Sequence, residues 1–139
     1  MAVTPNSIVT PQTPVFKTAV ATAAETAFNT PTAVVTLIDD ATQNTNGLRL
    51  TSVYAIARAA VSTNPINCQL YKKVGTTFTL IDSVLIAVGT PSASVANQKG
   101  DFGYSEGNPL TLEAGVGLAV AIGTATANGV AFVAKGGAY

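Results

Sequence analysis

The chain has 139 residues, 47% of them apolar and only 10% charged, with seven Lys or Arg against seven Asp or Glu. A typical soluble domain carries about 25% charged residues, and a nucleic-acid binder needs a basic stripe to displace counterions from phosphates, so nucleic acid is excluded as a partner. With no His and one Cys, Ser-His-Asp and Cys-His catalysis, cysteine-and-histidine zinc sites and an intrachain disulfide are all excluded.

The first fourteen residues, MAVTPNSIVTPQTP, hold three prolines, which remove backbone donors and favour extended conformations. They predict an arm over 1–14, outside a domain over 15–139. Val3, Ile8 and Val9 suit an arm that docks on a neighbouring subunit; a disordered tail is the other reading. The start lacks a basic, then apolar, leader. No apolar run reaches the roughly 18–20 residues of a membrane span. The expectation is a protein made in the cytoplasm with no membrane contact.

From Val15 the signals are those of strands. VFKTAVATAAETAF interleaves Thr and Val and predicts one strand. AVVTLI (33–38) is β-branched and bounded by Pro31 and Asp39-Asp40, a pair that fits a solvated turn better than a calcium loop, since no DxDxDG spacing follows. After a polar loop over 41–46 and an Asn46-Gly47 turn, GLRLTSVYAIARAAV (47–61) predicts a long central strand. Period two places Leu48, Leu50, Tyr54 and Ile56 on one face and Arg49, Thr51, Val53, Ala55 and Ala57 on the other. Arg49 and Arg58 sit in this apolar run as candidates for salt bridges at a subunit interface, or as side chains snorkelling at a sheet edge.

INCQLYKKV and TFTLIDSVLI, separated by Gly75-Thr76, form the clearest hairpin. Cys68 alternates with polar neighbours as a small buried hydrophobe, and Lys72-Lys73 suit a protected sheet edge. Gly89 to Gly107 predicts a polar loop. Its Phe102 and Tyr104 are either an aromatic contact surface or rings folded back on the domain. PLTL, a turn at Glu113-Ala114-Gly115, then alternation through Leu118, Val120 and Ile122, an Asn128-Gly129 turn and VAFVAK complete the chain.

Seven or eight short strands without amphipathic crossover helices predict an all-β fold, an antiparallel β-sandwich of jelly-roll type. No Walker loop or GxGxxG occurs. Glu106, Glu113 and the aspartates could supply a carboxylate pair for glycoside hydrolysis, but the lack of Trp speaks against a carbohydrate site. No enzyme, metal or cofactor is expected.

The Thr/Pro arm, GLRLTSVYAIARAA, QLYKKVGTTFTLIDSV and the ending NPLTLEAGVGLAVAIGTATANGVAFVAKGGAY together resemble small β-sandwich virion proteins of tailed bacteriophages, above all capsid decoration (cement) proteins. The resemblance implies a structural protein of the virion that assembles in the host bacterial cytoplasm. It would form a homo-oligomer, commonly a trimer, and bind the major capsid protein on the head surface. A tail, neck or fibre component is the alternative, and a carbohydrate-binding, adhesin-like sandwich a third. Val3, Ile8, Val9, Arg49, Arg58, Phe102 and Tyr104 are the expected assembly contacts.

Overall fold

A computed structural model of the chain describes residues 10–139. It is a β-sandwich of two antiparallel sheets, with nine strands among the described residues. These are β1 (Thr13–Ala21), β2 (Val35–Ile38), β3 (Leu48–Ala57), β4 (Ile66–Val74), β5 (Thr77–Ile86), β6 (Lys99–Asp101), β7 (Leu110–Leu112), β8 (Gly117–Ile122) and β9 (Val130–Ala138).

The first sheet runs β1-β9-β3-β6, with β7 also on β3; the second runs β2-β8-β4-β5. The pairs β4 with β5, β3 with β6, β2 with β8 and β1 with β9 nest within one another along the chain. The chain is therefore one long antiparallel ribbon whose tip is the turn after Val74. The ribbon is rolled until β9 meets β3 and β8 meets β4. The tip holds two residues, Gly75 and Thr76, and only Gly75 has a positive φ, of 60°. Glycine at the first central position is the requirement of a type II′ turn, whose twist matches the strands it joins.

The core lies between the sheets. Phe132, Leu48, Leu50, Leu70, Leu118, Val120, Ile122 and Ile86 are fully buried there, with Cys68 and Val53. Each large side chain withdrawn from water contributes about 1.5–3 kcal/mol. Together they offset the ordering of a chain that has no helix among its described residues.

Among the described residues three bulges interrupt the ladders, in β2 at Leu37, in β3 and in β5, and the one in β3 sets which of its residues face inward. Leu50 pairs with Gly136 and Ser52 with Lys135, leaving Thr51 as an extra residue in β3. The extra residue reverses the alternation. Leu48 and Leu50 point into the core, but beyond the bulge it is Val53, Ala55 and Ala57 that do so, and Tyr54 and Ile56 turn outward. Unbroken period two, which groups Tyr54 with Leu48, is thus corrected. Gly136 opposes the bulge, where an added Cβ would overlap the Arg49 carbonyl oxygen, and at Gly137 it would overlap Pro11. These close approaches account for the two glycines through which β9 continues beyond the expected VAFVAK strand. In β5, Ile81 is the extra residue between the Leu70–Asp82 and Tyr71–Leu80 pairs.

Other boundaries also move. β1 takes in Thr13 and Pro14, which the sequence assigned to the arm, and ends at Ala21. The following TAAETAF is no strand, because Glu25 gathers backbone donors and turns the chain there. Within the expected loop after Gly89, β6 pairs with Tyr54–Ile56. Lys72 and Lys73 are on β4, which is paired on both sides, so they do not protect an edge.

Candidate interaction surface

The outer faces of the two sheets differ. On the second, Tyr71, Ala119 and Ala121 are wholly buried although they point away from the main core, with Val34 and Phe78 packed against them. Part of the cover is the segment from Thr22 to Val34, and it is held down by polar contacts. Tyr71 Oη donates to Gln69 Oε1 at 2.6 Å, and Gln69 Nε2 donates to the Glu25 carbonyl at 2.9 Å. The Glu25 carboxylate accepts from the backbone N–H of Ala33, Thr32 and Ala27 at 2.6, 2.8 and 2.9 Å. The Ala33 N–H, with those of Ala27, Thr32 and Thr26, holds the Glu25 carboxyl below its ordinary pKa although burial pushes it up. Burial, and then the nearby Glu25 charge, raises the pKa of Tyr71.

Among the described residues the outer face of the first sheet has no such cover. Phe16 on β1 is 63% exposed and Val20 is 37% exposed. The Lys135 ammonium of β9 lies 5.3 Å from the Phe16 ring centroid and 5.6 Å from that of Tyr54 on β3. The Lys99 ammonium of β6 lies 4.5 Å from the Tyr54 ring. Rings and cations thus alternate across all four strands in the order Phe16, Lys135, Tyr54, Lys99. Strand pairing aligns them, since Phe16 is opposite Lys135 and Lys99 is opposite Ile56, two residues beyond Tyr54. Among the described residues neither ammonium has a carboxylate within salt-bridge distance. Asp101, opposite Tyr54, accepts instead from the Gly103 N–H.

At the other end of this face Arg49 reaches Glu106, with Nη1 3.2 Å from the carboxylate and Nη2 donating to the Glu106 carbonyl at 2.7 Å. The pair walls a shallow groove of about 590 Å³ that also meets Phe16, Lys135, Gly136 and Gly137.

The expected contact residues therefore divide. Val3, Ile8 and Val9 lie outside the described residues. Arg49 is occupied within the chain by Glu106, and Arg58 is exposed just beyond the end of β3. Phe102 stacks on Phe132, with centroids 6.5 Å apart, and Tyr104 packs against the core with its hydroxyl 3.4 Å from Asp82 Oδ2. Both rings are thus folded onto the sandwich. Burial and Asp82 raise the Tyr104 pKa. Phe16, Tyr54, Lys99 and Lys135 were not singled out by the sequence. Their common signal, an aromatic or lysine at an outward position, becomes visible only once strand order is known.

The Asp39-Asp40 turn is not simply solvated. Asp40 pairs with Lys73 and accepts from the Gly75 N–H, tying the loop to the hairpin tip. Lys73, followed by that N–H, lowers the Asp40 pKa to about 2. Burial pushes the Cys68 thiol up to about 12. Among the described residues no group of three His, Cys, Asp or Glu is placed to hold a metal ion, and no helix is long and apolar enough to cross a membrane. Comparison with protein-family models, curated proteins and solved structures gives no match.

Proposed function

We propose that this protein is a structural component of a tailed-phage virion, foremost a capsid decoration protein that docks through the outer face of its β1-β9-β3-β6 sheet. The observation that carries the reading is the strand order. With the short β7 set aside, the nested pairs and the two four-stranded paths support an eight-stranded jelly roll, an architecture used by viral capsid and lectin domains. The phage assignment itself rests on the sequence resemblance. The docking face rests on contrast: among the described residues the chain covers much of one outer face and leaves rings, and cations without a carboxylate partner, on the other. Aromatic side chains supply contact area at such surfaces, and charges supply orientation and on-rate.

Co-sedimentation with purified heads of the phage encoding the chain tests this reading. Wild-type protein should pellet with heads, and the Lys99→Glu, Lys135→Glu double variant should bind at least about tenfold more weakly. Binding to isolated tails alone, or equal binding by the double variant, would overturn it.

A carbohydrate-binding sandwich is the second reading, favoured by the exposed Phe16 ring. Against it, Lys99 and Lys135 both approach Tyr54, leaving that ring poorly placed to stack on a sugar. A glycan array with binding lost in Phe16→Ala would establish it.

A further inference from the structure

At one end of the sandwich a cleft of about 390 Å³ opens between β7 of the first sheet and β4 and β5 of the second. Its walls are Leu110, Leu112, Val116, Ile81 and the ring of Tyr104, and Lys72 reaches into it. Leu112 and Val116 are almost fully buried, whereas Ile81 and Glu113 are exposed at the rim. Volume and lining fall within the range of small-molecule sites, which are about 300–1,000 Å³, mostly apolar, with few polar groups.

Lys72 is the anomaly. It lies opposite the fully buried Leu118 on β8, two residues past the core residue Leu70, so it occupies an inward position. Its neighbour Lys73 is neutralised by Asp40, yet among the described residues no carboxylate lies within salt-bridge distance of Lys72. Lys72 is only half-buried, so its ammonium stays open to a ligand that enters the cleft. An anion that also buries a hydrocarbon tail would meet both the cation and the apolar walls.

We propose that this cleft binds a small amphipathic monocarboxylate, its aliphatic tail against Leu110, Leu112, Val116 and Ile81 and its carboxylate on the Lys72 ammonium. Glu113 at the rim selects against a second negative charge, which excludes dicarboxylates and phosphate esters. This site is separate from the docking face and does not depend on it.

The test is calorimetric and NMR titration of the full chain with octanoate, below its micellar range, beside octanol and octylammonium. Octanoate should bind tightest and shift the amides of Leu112, Val116 and Ile81. Lys72→Met should weaken octanoate by about tenfold or more, the worth of a charge-assisted hydrogen bond, and leave octanol unchanged. Lys72→Arg should retain binding, which separates loss of charge from loss of fold. Equal affinity for octanoate and octanol, preference for octylammonium, undiminished binding in Lys72→Met, or no binding of any of the three would each overturn the proposal.

Discussion

Glu25 and Asp40 carry more structure than their number suggests. Each carboxylate collects donors from a segment remote in sequence or otherwise irregular: Glu25 from the turn that covers the second sheet, Asp40 from the β4–β5 tip. Hydrogen bonds to a charged group contribute about 1.5–3 kcal/mol each where solvent is excluded. Glu25→Gln, which keeps the shape and removes the charge, should therefore destabilise the fold by about 2 kcal/mol in urea unfolding at neutral pH. Both groups have folded pKa values below their unfolded ones. Their contribution is thus fully present above the ordinary carboxylate pKa and fades as pH falls, for Asp40 between its ordinary value of 3.8 and about 2. Stability measured across that window should decline less steeply in Asp40→Asn than in the wild type. An unchanged slope would mean that the Lys73 pair does not form in solution.

At the scale of elements, the hairpin from Ile66 to Ile86 was legible in the sequence because both runs alternate and a glycine stands between them. The face of β3 was not. A bulge changes the phase of the alternation but not the composition, and Thr51-Ser52 gives no apolar cue to where the phase breaks. β6 was missed for another reason: three residues, Lys99, Gly100 and Asp101, have strand form only because Tyr54–Ile56 offers them an edge. The strand extension through Gly136 and Gly137 is likewise set by close approach, to β3 at Gly136 and to Pro11 at Gly137, whereas propensity scales count glycine against a strand. The candidate site was the least legible part. Arg49 meets Glu106 across a sequence separation of 57, and the ring-and-cation row draws one residue from each of four strands. Deleting Thr51 tests the bulge. With the extra residue gone, unbroken period two keeps Leu50, Val53, Ala55 and Ala57 inward and Tyr54 and Ile56 outward. The variant should therefore still unfold cooperatively, as should Thr51→Ser, which keeps the count and should melt within a few degrees of the wild type. Loss of cooperative unfolding in the deletion variant would mean that the extra residue is not what reverses the alternation.

The whole molecule is a rolled ribbon with unlike outer surfaces. Much of one is covered by the chain's own segment, fastened through Glu25, Gln69 and Tyr71. The other presents Phe16, Lys135, Tyr54 and Lys99. A chain with so few charges has little electrostatic repulsion to keep copies and partners apart, which is the ground for the proposal that this face docks. Phe102 and Tyr104, on the Gly89–Gly107 segment, pack onto the sandwich as partly buried rings. The proposed docking surface is the outer face of the β1-β9-β3-β6 sheet. Cryo-electron microscopy of the intact virion tests this most directly. The account predicts copies of the domain on the head with the β1-β9-β3-β6 face turned to the shell and Phe16 and Tyr54 in the contact. Density confined to the tail, or head-bound copies with that face turned to solvent, would contradict it.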